Sequence, residues 1–238
     1  QNIANVNTEG YSKRDVALEE IGGVQGGVTD VSDQSGLGVR VDEIRRSFNE
    51  YITERLRSAH SSYEQIKQFS TEVNILENDL LPEGSDLSTF IGKFFSSLQE
   101  IGAAPEDSAP RTVAMEAGKD LSNAFNDNSA RLNQTQRGAF TQTNLVLDKV
   151  NLLSTELENV NAKLKSAGAT TKANDLLDTR DLLLEQLSKE IEFTTTYGDR
   201  GDVTIRLGNS GQGPILVSPN NSFKLRAKVT ENSDFRYA

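Results

Sequence analysis

From Pro110 to Ala167 nothing stronger than a lone glycine interrupts a helix, and the second half repeats apolar residues in steps of four and three: Val146, Val150, Leu153, Leu157, Val160 and Leu164. Such spacing lays one apolar seam along a helix, the pattern by which long helices cover each other. Pro110 suits a first helical turn, where its missing amide is not needed. The middle is less regular. Asn126, Asn128, Asn133, Gln134, Gln136, Gln142 and Asn144 crowd Leu132 and Phe140, and Gly118 and Gly138 weaken the helix locally. At about 1.5 Å per residue an unbroken helix here would span roughly 85 Å, which predicts an elongated chain.

The flanking segments supply the rest of the fold. Ser47-Phe-Asn-Glu50 fits a capping box, followed by apolar or small residues at Ile52, Leu56, Ala59, Tyr63 and Ile66, then, after a slip of phase, Phe69, Val73, Leu76 and Leu80. Pro82 and Gly84 end this helix. A second, about Asp86 to Ile101, carries Leu87, Phe90, Ile91, Phe94, Phe95, Leu98 and Ile101, a stripe broad enough to make it the most buried helix. Gly168 ends the long helix, and a fourth runs from about Lys172 to Ile191. Before all of these, Val16, Leu18 and Ile21 suggest a short strand, then come Gly22, Gly23, Gly26, Gly27, Gly36 and Gly38, then Val39 and Val41 in alternation. Beyond Ile191 the period is two: Phe193, Thr195, Tyr197, a turn at Gly198 to Gly201, then Val203, Ile205, Leu207. Ile215 to Val217 and Phe223 to Val229 continue the β pattern. The expected fold class is mainly α with a β-rich C-terminal part (α+β), an elongated bundle of long antiparallel helices with β-hairpins. Three segments follow: 1–46, an extended linker with short strands; 47–191, an elongated helical domain; and 192–238, a truncated β-hairpin region.

Composition removes whole classes of function. The 238 residues contain no cysteine, so a disulfide framework, a Cys-zinc site and a thiol nucleophile are excluded together. Of the net charge of −10, residues 1–191 carry −11 and residues 192–238 carry +1, opposite in sign to a nucleic-acid footprint over most of the chain. No apolar run approaches the roughly 20 residues that cross a bilayer, so membrane insertion is not expected. No nucleophile–base pair or carboxylate dyad rises above the abundant Asp and Glu on solvated helix faces, and we expect no enzyme, no cofactor and no metal.

Three isolated signals have ordinary explanations. His60 and Glu64 have the i, i+4 spacing of a metal pair, but one histidine lacks the further ligands zinc needs. Arg200-Gly-Asp202 matches an adhesion tripeptide, yet Gly-Asp-Arg-Gly-Asp is hairpin-turn chemistry. Gly208-Asn-Ser-Gly-Gln-Gly213 has the wrong order for a dinucleotide fingerprint and lacks the Gly-Lys-Ser/Thr of a phosphate loop, so it is a loop.

Two motifs are more specific. In Asn2-Ile-Ala-Asn-Val-Asn-Thr-Glu-Gly-Tyr-Ser-Lys-Arg14, the residues Asn5, Asn7, Thr8 and Gly10 favour turns over helix, and Tyr11 and Arg14 place an amphipathic ring and a forked cation where contact with neighbouring chains is expected. In Ala173-Asn-Asp-Leu-Leu-Asp-Thr-Arg-Asp-Leu-Leu-Leu-Glu-Gln-Leu-Ser188, Asn174, Asp178 and Asp181 share one helix face; Arg180 can lay its stem over Leu176 and Leu177 while its head meets a carboxylate. Local ion pairs on a leucine-rich helix would explain the second motif by stability alone.

The first motif resembles the one shared by the axial proteins of the bacterial flagellum: rod, hook and hook-associated proteins. The second, with its Leu-Leu-Asp-x-Arg-Asp core, is similar to the signature of the hook-associated protein 1 family. Phe95-Ser-Ser-Leu98, Pro105-Glu-Asp107, Arg111, and Gly118-Lys-Asp-Leu121 with Phe125 also look like that family. The resemblance covers most of residues 1–207. It implies a fragment that lacks a leading helix and a returning C-terminal half, in which Asn5, Thr8, Gly10, Tyr11, Arg14, Asn174, Leu177, Asp178, Arg180 and Asp181 are the family motif and interface residues. It further implies a structural subunit of the flagellar axial assembly, extracellular and exported without a cleaved signal peptide, joining hook to filament by lateral helix packing and polymerisation. The implied partners are the hook protein, the next hook-associated protein, copies of the chain itself, and an export chaperone whose C-terminal site is absent here. The alternative from composition and heptads alone is an intracellular coiled-coil adaptor binding partner helices.

Overall fold

The computed structural model describes residues 2–20, 39–80, 86–167, 171–229 and 235–237. The glycine-rich stretch with Ile21 and Gly22 to Gly38, the Pro82 and Gly84 terminator and the stop at Gly168 lie outside these residues. Two strands open the chain, β1 (Arg14–Glu20) and β2 (Val39–Arg46), paired antiparallel in a two-stranded ribbon with a register shift between Ala17 and Leu18. Then come α1 (Glu50–Leu80), α2 (Leu87–Ala103), α3 (Ser108–Ala167) and α4 (Thr171–Ser188). Six strands follow: β3 (Phe193–Tyr197), β4 (Val203–Leu207), β5 (Ile215–Ser218), β6 (Asn221–Ser222), β7 (Ala227–Val229) and β8 (Phe235–Tyr237). β3 to β6 form an antiparallel meander in sequence order, and β7 pairs with β8. The architecture is α+β, helix-rich with antiparallel sheet towards the C-terminus, as expected.

Local chemistry explains the boundaries. α3 is continuous over 60 residues, Gly118 and Gly138 included. The Asp107 carboxylate accepts from the Ala109 amide at 2.9 Å at its start, and Pro110 sits in the first turn. α2 is capped by Asp86, whose carboxylate accepts from the Thr89 amide at 3.2 Å and also meets the Thr89 hydroxyl. α1 departs from the capping box read at Ser47: it begins at Glu50, and Asn49 is the cap, its side-chain oxygen accepting from the Ile52 amide at 3.1 Å.

The chain divides into two compact units: unit 1, residues 1–62 and 149–225; and unit 2, residues 63–148 and 226–238. In unit 1 the core comes from α3 (Val150, Leu153, Leu157, Val160, Leu164), α4 (Leu183, Leu184, Leu187), β4 (Val203, Ile205) and β5 (Leu216, Val217), all buried. Thus the regular half of the long helix is the one that builds a core. The register shift opposite Ile205 and Arg206 lets the consecutive residues Leu216 and Val217 both bury. Two asparagines of α3 bind backbone in the manner of a paired strand, Asn161 on β4 and Asn151 on the segment between β6 and β7. Asn161, fully buried, donates to the Val203 carbonyl at 2.8 Å and accepts from its amide at 2.9 Å. Asn151 does the same with Leu225, at 2.9 and 2.8 Å.

Unit 2 is thinner. Among its described residues the buried apolar side chains are Ala114 and Leu147. α2 is therefore not the most buried helix: Ser97 is its buried residue, while Phe95 is 59% and Leu98 41% exposed. Its aromatic stripe needs cover on two sides, and unit 2 offers mainly the side where Phe94 lies against Gly118 of α3. The α1 seam has the predicted spacing but faces solvent, with Ile52, Leu56, Tyr63, Ile66, Phe69, Val73 and Leu76 all exposed.

Candidate functional site

The two motifs, about 160 residues apart in sequence, meet in unit 1 as one cluster. Residues 2–14 close on themselves first. The Asn2 side chain donates to the Arg14 carbonyl at 2.8 Å and accepts from the Arg14 amide at 3.0 Å and the Tyr11 hydroxyl at 2.9 Å. Inside this loop the Thr8 amide donates to the Asn5 carbonyl at 3.0 Å and the Tyr11 amide to the Thr8 carbonyl at 3.2 Å, the turn that Asn and Thr predict. Gly10 has φ of 79°, and a Cβ there would stand 2.9 Å from the Leu182 Cβ of α4. Any larger residue would strain the backbone and push the loop off the helix.

The closed loop puts Arg14 at the start of β1, directly across the ribbon from Arg46 at the end of β2. Both reach the same face of α4, where Asp175, Asp178 and Asp181 follow at helical spacing. Arg14 Nη2 contacts Asp175 at 2.5 Å and Asp178 at 3.2 Å; Arg46 contacts Asp178 at 2.8 Å and Asp181 at 2.7 Å. The Ser12 amide donates to Asp178 at 3.3 Å, and Asn174 donates to the Ile44 carbonyl at 3.0 Å. From α1, Arg57 brings one nitrogen to Asp181 at 3.3 Å and another to the Tyr197 hydroxyl at 2.8 Å. Arg180 folds back on its neighbour Asp181 at 2.8 Å, donates to the Gly201 carbonyl at 2.5 Å, and lies 4.8 Å from the centre of the Tyr197 ring. Gly201, with φ of 78°, leaves room for Leu177, whose Cδ2 would be 2.6 Å from a Cβ there.

Burial changes what these pairs mean. The side chains of Arg14, Arg46, Arg57 and Arg180 are 4 to 7% exposed, and those of Asp178 and Asp181 are 12 and 11% exposed. A surface pair contributes about 0 to 1 kcal/mol, whereas removing one partner of a buried pair strands the other and costs about 3–5 kcal/mol. The Arg14 guanidinium is held above its ordinary range, first by the hydrogen bond to Asp175 and further by Asp178, against the opposing effect of burial. Four guanidiniums converge with three carboxylates and largely occupy one another. That arrangement fixes structure.

All ten motif residues fall at or beside this cluster. Arg46, Arg57, Asp175, Ser12, Asn2 and Tyr197 complete it: Asn2, Ser12 and Asp175 lie inside the two motifs without being named as site residues, Tyr197 is a residue of the expected hairpin, and Arg46 and Arg57 carry no sequence signal. The isolated signals lie elsewhere or dissolve. Glu64 pairs with Lys67 at 3.0 Å, and among the described residues no three His, Cys, Asp or Glu side chains gather as metal ligands. In the tripeptide 200–202, Asp202 is buried and Arg200 donates to the Lys165 carbonyl at 2.6 Å, so the segment is a folded turn. Among the described residues no helix is long and apolar enough to cross a membrane.

A family model, that of the flagellar hook-associated protein FlgK helical domain, matches residues 73–237. The chain belongs to this family. Flagellar hook-associated protein 1 of Salmonella typhimurium is 26% identical over 229 residues, covering 95% of this chain and 40% of that protein. The protein of the same name from Bacillus subtilis is 27% identical over 225 residues, covering 91% and 43%. The fold is shared with the flagellar hook junction protein FlgK from Burkholderia pseudomallei, at a TM-score of 0.67 and 22% identity over 77% of this chain and 32% of that one. The chain thus spans about two fifths of the length of the curated relatives it matches.

Proposed function

We propose that the chain is part of a structural, non-enzymatic subunit of the flagellar axial assembly, joining hook to filament outside the cell by lateral helix packing and polymerisation. The observation that supports this reading is the α1 seam: Ile66 is 68%, Phe69 70% and Tyr63 62% exposed, at the spacing of residues that fill a helix–helix interface. Apolar residues so arranged on a face with no cover mark an interaction surface. A heterologous contact of this kind, repeated from copy to copy, builds a tube or ring. The motif residues Asn5, Thr8, Gly10, Tyr11, Arg14, Asn174, Leu177, Asp178, Arg180 and Asp181 serve it by holding the N-terminal segment in one shape. The partners are copies of the same chain, the hook protein, the next hook-associated protein and an export chaperone, with export proceeding without a cleaved signal peptide.

The test separates folding from assembly. Ile66→Asp with Phe69→Asp alters exposed positions, so the melting temperature of the purified chain should stay nearly unchanged. Placed in the full-length protein of the source bacterium, the same pair should abolish incorporation at the hook end, scored by electron microscopy of hook basal bodies. Normal incorporation of the double variant would overturn the lateral-packing reading.

A further inference from the structure

We infer that residues 2–20 and 39–46 form a strap that docks on the α4 face of unit 1 and folds in the same step, with Arg14 and Arg46 as its latch. The inference rests on how differently this segment and the core beneath it are held. Most apolar side chains of the strap contribute little: Ile3 is 92%, Val6 76%, Val16 54%, Leu18 61%, Val39 62% and Val41 59% exposed, while Tyr11, Ala17 and Ile44 are half-buried. Arg14 is the buried residue of the strap among those described, and Arg46 has a side chain only 6% exposed. What fastens the strap is therefore polar: these two guanidiniums on Asp175, Asp178 and Asp181, helped by Asn174 on the Ile44 carbonyl and the Gly10 seat under Leu182.

Two features make the latch act as a unit. Arg14 and Arg46 are register partners, so strand pairing brings both cations to one face, and losing the pairing scatters them. Conversely, a lone two-stranded ribbon is at best marginally stable in water, so an undocked strap does not keep its strands. Docking and strand pairing are thus one order–disorder event. Opening leaves Asp178 in water, where it is no longer stranded, while Asp181 keeps Arg57 and Arg180. None of the described strap side chains is among the buried apolar residues of α3, α4, β4 and β5, so the strap opens without unfolding what lies beneath it.

Hydrogen exchange of the whole chain, read by mass spectrometry, tests this with the double variant Arg14→Gln, Arg46→Gln. Protection of amides in 14–20 and 39–46 should fall at least tenfold, all together, while amides in 150–164 and 203–207 stay within about threefold of the parent chain. As a second arm, Leu182→Gly, which removes the seat but not the charges, should lower strap protection by less than the double variant does. Parallel loss of protection in strap and core, failure of the double variant to fold, strap protection left unchanged, or an effect of Leu182→Gly equal to or larger than that of the double variant would each overturn the proposal.

Discussion

Among single residues, Asn161 shows most clearly how side-chain chemistry sets structure. Its amide occupies both the carbonyl and the amide of Val203 in a site without water access. Replacing it with leucine keeps the branched shape but orphans two backbone groups, each costing about 1–3 kcal/mol. Asn161→Leu should lower unfolding free energy by about 2–4 kcal/mol in urea titration. Asn133→Ala, which frees only the solvent-exposed Ser129 carbonyl, should be neutral to slightly stabilising in the same assay. The two asparagines look alike in sequence. Only the fold separates a helix-surface amide from one standing opposite a strand. The same holds for Arg46, which reads as a charge before a helix until β1 and β2 pair and carry it to α4.

At the level of elements, most of the fold was legible because its signals are local. The four helices and the β3–β4 hairpin follow from apolar period, proline position and turn residues, and each appears within a few residues of its expected bounds. What was not legible depends on packing between distant segments: which seam finds a partner, which stripe is covered, and that two motifs share one site. The caps show the same limit at close range, since Asn49 rather than Ser47 starts α1 although both are good caps. Asp86 offers a direct check on α2. Its carboxyl is held below its ordinary value of 3.8, first by the Ser88 hydroxyl and then by the Thr89 hydroxyl and amide. A lowered value in the folded state contributes stability above the ordinary value, and that contribution fades as pH falls through the folded one. Exchange of the Thr89 amide, corrected for its intrinsic pH dependence, should therefore be level from pH 6 to about 4.5 and speed up on further acidification. Asp86→Asn, which keeps a capping oxygen but cannot titrate, should flatten that response.

For the molecule as a whole, the uneven burial predicts uneven stability. Unit 1 has an apolar core drawn from two helices and two strands, whereas the described part of unit 2 buries little beyond Ala114, Leu147 and Ser97. Brief digestion with a nonspecific protease should cut first within residues 63–148 and leave 149–225 intact, as identified by mass spectrometry of the fragments. Early cleavage inside 149–225 would contradict the assignment. Asn161 pins the α3 shaft to β4 and Asn151 pins it to the backbone just beyond β6, two points about 15 Å apart along its axis, given about 1.5 Å per residue. A rod pegged twice resists sliding and spinning against what holds it, so a pull or twist applied along α3 within unit 1 is handed on to β4 and to the segment after β6 instead of being lost in slippage.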